Sequence, residues 1–266
     1  MKPYLALFRA RFRVLLHYRA AAVAGFVTQL FFGLVKIMVL GAFYENGTGA
    51  ALPLSLAHAV TYTWLAQAFF HLLPFSANPD PEVRDMIRSG HVAYELVRPL
   101  DLHGLWWTRS LAARTAPTLA RSVPMFLVAM PFFGMQRPPS LPSALAFVVT
   151  LLGAAILTSA FTTIITASLM WTVSGDGIAR IMPSLVAVGS GLVVPLPLFP
   201  SWAQPILSAL PFRSMADLPF RLYLGDLPPS AAVRVLATQL GWTLLLVAIG
   251  RLLVASGRRR LVVQGG

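Results

Sequence analysis

Apolar residues fall into six long blocks, at about 20–44, 54–74, 113–135, 143–173, 178–195 and 231–256, with polar, charged or proline-rich pieces between them. A helix that crosses a bilayer takes about 20 mostly apolar residues. The pattern therefore predicts an all-α, polytopic membrane protein with six transmembrane helices, organised as one domain over 1–266. The first block is too long for the apolar part of a signal peptide and is expected to stay in the mature chain.

The pieces between the blocks have patterns of their own. Over 1–19, Leu5, Phe8, Phe12 and Leu15 recur at helical spacing, while Arg9, Arg13 and His17 line another face. This predicts an amphipathic helix lying at the membrane–water interface. The other reading is a solvated basic start to the first span.

In the connection 75–112, Asp80 suits an N-cap, Pro81 the first helical position, Glu82 the positive helix end and Gly90 the stop. A short helix at about 81–89 follows, with Val83, Met86 and Ile87 on one apolar face. It is either a docking element for another protein or a loop helix packed on its own bundle. Arg98-Pro99 then breaks the chain, and Trp106-Trp107 suits the interface where it re-enters lipid.

The segment 196–230 is apolar, yet Pro197, Pro200, Pro205, Pro211 and Pro219 forbid one continuous helix. Short helical pieces are expected at about 201–210 and 214–223, forming a re-entrant or interfacial hairpin with Trp202 and Tyr223 at headgroup depth.

Composition supports the membrane reading. Of 266 residues, 57% are hydrophobic and 11% charged, against about 25% charged in soluble domains. Mean hydropathy is +0.72. A soluble chain of this size has too little interior to hide that much apolar surface. The net charge of +12 comes from 21 Lys and Arg against 9 acids. Most of these cations flank apolar blocks, which points to anionic lipid and not to nucleic acid.

With the N-terminus inside, the inner connections hold fifteen cations and the outer ones four, namely Arg137, Arg213, Arg221 and Arg234. Both termini are then cytoplasmic, as an even number of spans requires. Absent cysteine removes disulfides and thiolate chemistry. Neither lysine follows a glycine, so the chain has no phosphate-binding loop and no ATP site of that kind. The five histidines are not at ligand spacing, so no metal site is expected.

Polar residues inside spans are functional candidates by default. Lys36 either snorkels to the outer interface, lines a cavity or pairs with Glu45. Gln67, His58 and His71 serve as cavity lining or as helix–helix hydrogen bonds. Thr158, Thr162 and Thr166, spaced i, i+4, i+8, either line a polar path or bond their own helix backbone.

In this order and spacing the chain resembles the permease subunits of ABC-2 type ABC exporters. Two stretches carry the likeness. One runs from Ile87 through Gly90 and Leu96-Val97-Arg98 to Pro99-Leu100; the other holds Phe199-Pro200-x-Trp202, Leu210-Pro211-Phe212, Pro219 and Tyr223-Leu224-Gly225. The resemblance implies half of a translocation pathway in the cell inner (plasma) membrane. A second permease copy or homologous permease would pair with it, and separate ABC ATPase subunits holding ATP and Mg²⁺ would dock beneath. This chain itself would be non-catalytic and hold no cofactor.

The resemblance makes the helix near 81–89 a coupling helix, carried by Glu82, Val83, Arg84, Met86, Ile87, Arg88 and Gly90. Charged residues at Val83, Met86 or Ile87 are then expected to uncouple ATP hydrolysis from export. An external gate would use Phe199, Pro200, Trp202, Pro211 and Phe212; Gln67, Thr158, Thr162 and Thr166, which the resemblance does not assign, are candidates for a substrate path or a subunit interface. The apolar pathway suits drugs, lipids or lipophilic metabolites. The rival readings are a stand-alone secondary transporter or channel, and an intramembrane lipid-modifying enzyme. The first lacks a mid-span acid or an evident repeat, and the second lacks a His or acid cluster.

Overall fold

The computed structural model describes residues 2–46, 52–74, 80–171 and 176–258, with side chains except at 176–180. The loop start at 75–79, the tail of the fourth apolar block, and Arg259 and Arg260 lie outside the described residues. Eleven α-helices are found there, and no strand. In chain order they are α1 (Lys2–His17), α2 (Arg19–Glu45), α3 (Leu56–Ala68), α4 (Pro81–Arg88), α5 (Ala93–Leu96), α6 (Leu102–Phe132), α7 (Leu141–Ser168), α8 (Asp176–Gly189), α9 (Gln204–Ala209), α10 (Asp217–Leu224) and α11 (Ala232–Gly257).

Local chemistry sets many of the boundaries. Ser55, Asp80, Asp101 and Ser140 each accept a hydrogen bond from a backbone N–H three residues on, satisfying one of the donors a helix start leaves orphaned. Gly90 closes α4 in the left-handed region at φ 76°, where residues with a Cβ are strained. Tyr18, outside helical geometry at ψ 60°, separates α1 from α2.

Among the described residues, three helices are long and apolar enough to cross a membrane: Arg19–Glu45, Leu141–Ser168, and Pro229–Gly257 (α11 with its leading turn). The other three apolar blocks take different forms. The block 54–74 becomes the 13-residue α3 plus a 3₁₀ turn at Phe70–Leu72; α3 rises only about 20 Å. The block 113–135 belongs to the 31-residue α6, which begins at Leu102 and contains Pro117, Pro124 and Pro131. The block 178–195 yields the 14-residue α8 and a following turn.

The short helix α3 is the centre of the molecule. Tyr62, Trp64 and Leu65 are fully buried, and Phe69 just beyond it stacks edge-on with Phe126 of α6 and Phe147 of α7. Phe147 in turn meets Tyr223 of α10 at 5.1 Å. A helix apolar on all sides belongs inside a protein core. The opposite extreme is α2, where only Gln29 and Gly33 are buried and Phe31, Phe32, Val35, Met38 and Val39 are exposed. Such a surface needs lipid or another chain against it.

The segment 196–231 folds as short pieces between its prolines, as expected: a 3₁₀ turn at Leu196–Leu198, α9, a second turn at Pro211–Met215, α10, and a third at Pro229–Ala231. It is pinned to α3 by Asp217, which accepts from Tyr62 Oη at 3.0 Å and from Arg213 Nε at 3.1 Å. Trp202 is exposed. Tyr223 is not at a lipid interface: it is buried and donates its hydroxyl to Gln136 O at 3.0 Å, because the aromatic cluster around Phe147 takes its ring.

Candidate functional site

Two places gather polar side chains inside this apolar frame. The first is the connection 80–101, packed where α1, α6 and α11 meet. Val83 of α4 is completely buried in a cluster with Val92, Leu102, Leu105, Trp106, Met170 and Val254, and Met86 and Ile87 pack against its edge. The apolar face of α4 therefore turns toward the chain's own bundle. Val83 is fully covered there, while Met86 and Ile87 are half-buried.

The acids of the connection turn inward too. Arg109 of α6 is buried and acts as their hub. Its Nε donates to Asp80 Oδ2 at 3.0 Å, its Nη2 lies 2.8 Å from Glu82 Oε2, and its Nη1 lies 3.6 Å from Glu95 Oε1. Glu95, also buried, accepts from Trp106 Nε1 at 2.8 Å. Glu82 further pairs with Arg11 of α1. Burial opposes ionisation of Glu82, but the hydrogen bond from Arg11 and the charge of Arg109 outweigh it and hold the carboxyl below its ordinary value. Tyr4 of α1 adds a second tie by accepting from Asp101 N–H at 3.0 Å.

Trp106 is consequently a buried hydrogen-bond donor and not an interfacial anchor; Trp107 is partly exposed. The outward surface of the connection is instead made by Glu82, Asp85, Arg88, His91, Tyr94, Leu96, Val97 and Arg98. Three of these are large apolar groups held in the open, Tyr94 at 71%, Val97 at 80% and, less fully, Leu96 at 38% exposure.

The second place is a pocket of about 460 Å³ beside α2. Gly25, Thr28, Gln29, Phe32 and Lys36 form its α2 wall; Gln67, Phe70 and His71 close the other side. The α2 residues recur at i, i+3, i+4, i+7 and i+11, a single helical stripe. Gln29 Nε2 and His71 Nδ1 are 2.8 Å apart. Lys36 does not meet Glu45: its Nζ donates to Leu192 O at 2.8 Å, just after α8.

The structure thus brings Gln67 to the pocket beside α2 but not the threonines. Thr162 and Thr166 donate to Thr158 O and Thr162 O, their own helix backbone, and all three are buried within α7. The Thr162 and Thr166 hydroxyls satisfy the helix one turn back, whereas Thr158 Oγ1 has no partner among the described residues. The gate candidates divide as well. Phe199, Pro200 and Trp202 are partly or fully exposed, whereas Pro211 and Phe212 are buried, with Phe212 edge-on to Phe161 at 5.5 Å. His58 stands apart from the pocket, 3.4 Å from Asp226. Among the described residues no group of three or more His, Asp or Glu is placed to hold a metal.

Sequence reasoning passed over Gln29, Arg109, Glu95 and Arg121 as site residues. Gln29 carries a signal, an amide inside an apolar block; Arg109 enters the sequence pattern only as a cation that marks orientation.

Comparison with known proteins adds one finding. The model of a family described as ABC-2 family transporter protein matches residues 30–265, which include the connection 80–101, the pocket and the 196–231 segment. No curated protein and no solved structure matches the chain. By this match and its apolar helices, the chain is a membrane protein belonging to the ABC-2 transporter family.

Proposed function

We propose that this chain is the permease subunit of an ATP-driven exporter, moved by a separate ATPase that docks on the outward surface of the connection 80–101. In this reading it crosses the inner (plasma) membrane six times, with both termini in the cytoplasm. The short helix α3 reaches across because neighbouring helices, not lipid, surround it. A second permease copy or a homologue pairs against the exposed face of α2. ATP and Mg²⁺ stay on the ATPase, and the 196–231 segment roofs the pathway on the external side.

The observation that supports this most is the combination at the connection: a braced interior and an apolar exterior. Arg109 joins α4 and α5 to α6, Glu82 joins α4 to Arg11 of α1, and Val83 sits among residues of α6, α7 and α11. A push on this surface therefore reaches four long helices without being absorbed by the loop. Tyr94 and Val97 supply the kind of exposed aromatic and aliphatic anchors that protein interfaces use.

Docking through Tyr94 and Val97 replaces docking through Val83, Met86 and Ile87. The test is the assembled permease–ATPase complex carrying Tyr94→Ala or Val97→Asp. The chain is expected to insert and melt like the wild type, while its association with the ATPase weakens about tenfold or more. Unchanged association and unchanged export-linked ATP turnover in both variants would refute the docking surface.

A further inference from the structure

We propose that the pocket beside α2 binds an acidic amphiphile, with the acid group paired to Lys36 and the apolar body laid against Phe32 and Phe70. The proposal rests on the permease reading and names the class of molecule carried. An ammonium inside a membrane-spanning helix is costly unless something neutral or negative compensates it. Lys36 has three N–H donors, and its described contact is one neutral carbonyl, Leu192 O at 2.8 Å. No carboxylate pairs with it among the described residues. No counter-ion stands at Lys36 among the described residues, and a ligand acid supplies it.

Two further features favour an anion there. The guanidinium of Arg121 lies against Gly25 in the pocket wall, so closely that a methyl group at Gly25 would collide with it. Its Nη2 donates to Ala21 O at 3.0 Å, but Nε and Nη1 have no partner among the described residues. Among the described residues its positive charge is thus spent on no acid, and it stands at the Gly25 end of the pocket, about 16 Å along α2 from Lys36. Gln29 is only 5% exposed, lines the pocket, and leaves its side-chain oxygen without a partner. A buried polar atom left unsatisfied is expensive, and a hydroxyl or amide on the ligand would relieve it. Phe32, largely exposed at the pocket mouth, gives the apolar body its surface. Two sources share this chemistry: an acidic phospholipid of the bilayer and a free lipophilic acid.

The full chain, purified in nonionic detergent without any ATPase, is titrated with tritiated oleate. A single saturable site is expected, from which unlabelled oleate displaces the label and oleyl alcohol and oleylamine do not. Lys36→Gln is expected to weaken binding at least about tenfold, and Lys36→Arg, which keeps the charge, to retain it within about threefold. Displacement by short-chain phosphatidylglycerol as effective as by oleate assigns the site to a bilayer lipid; failure to displace assigns it to a free acid. Equal displacement by the alcohol, unchanged binding in Lys36→Gln, loss of binding in both lysine variants, or no saturable site overturns the proposal. Since the ATPase is absent, none of these results bears on whether it docks.

Discussion

Arg109→Met is expected to lower the stability of the connection 80–101 by about 3–5 kcal/mol, the usual consequence of removing one partner from a buried charge cluster. Arg109 is 7% exposed and faces Asp80, Glu82 and Glu95 together. Methionine keeps the apolar stem and roughly the volume, so the loss reports the charge. Glu95 drives most of it: with 5% side-chain exposure it meets little water and keeps the Trp106 donor. Glu82, 57% exposed, contributes little because solvent screens it.

Arg109→Lys should recover only part of the loss, since one ammonium cannot present the planar fork that reaches three carboxylates. Thermal unfolding of the purified chain, with limited proteolysis as the local readout, measures both variants. The connection should be cleaved faster in Arg109→Met than in the wild type. Equal melting and equal cleavage would mean that the cluster does not hold the loop.

The second large effect concerns Val83. Val83→Asp places a carboxylate where no solvent reaches, at 0% exposure among apolar side chains, and is expected to destabilise by several kcal/mol. Val97→Asp, at 80% exposure, should stay within about 0.5 kcal/mol of the wild type. Only the second variant can therefore report on docking; a loss of coupling in the first reports a broken loop. Melting both variants side by side tests this, and a stable Val83→Asp beside an unstable Val97→Asp would reverse the assignment of the two faces.

These two residues show what the sequence can reveal and what it cannot. The limits of α4 were legible because a local bond sets them: Asp80 caps Val83 N–H, and Gly90 takes the positive φ. The direction of its apolar face was not legible. Val83, Met86 and Ile87 have the same spacing whether the face meets a partner or the chain's own α6, and only tertiary packing distinguishes the two.

The same limit applies to the aromatics. Trp106 and Tyr223 have the composition of membrane-interface residues, but Glu95 and Gln136 bind their polar ends inside the fold. The apolar blocks were legible as helices, since hydropathy is a local sum. Their lengths were less so: α3 ends after 13 residues and α6 begins at Leu102, behind an Asp101 cap that was present in the sequence. The pocket joins residues some forty positions apart, Gln29 to His71, and no local pattern announces such a pairing.

The account as a whole stands on a separate ATPase seated against the connection 80–101. A photoreactive amino acid placed at Val97 and irradiated in intact membranes tests that seat most directly. The account predicts a covalent adduct with an ABC ATPase, diminished when Tyr94→Ala is combined with the probe. It would be contradicted by labelling of position 97 from the outer side of the membrane, or by adducts with lipid alone while the ATPase is present.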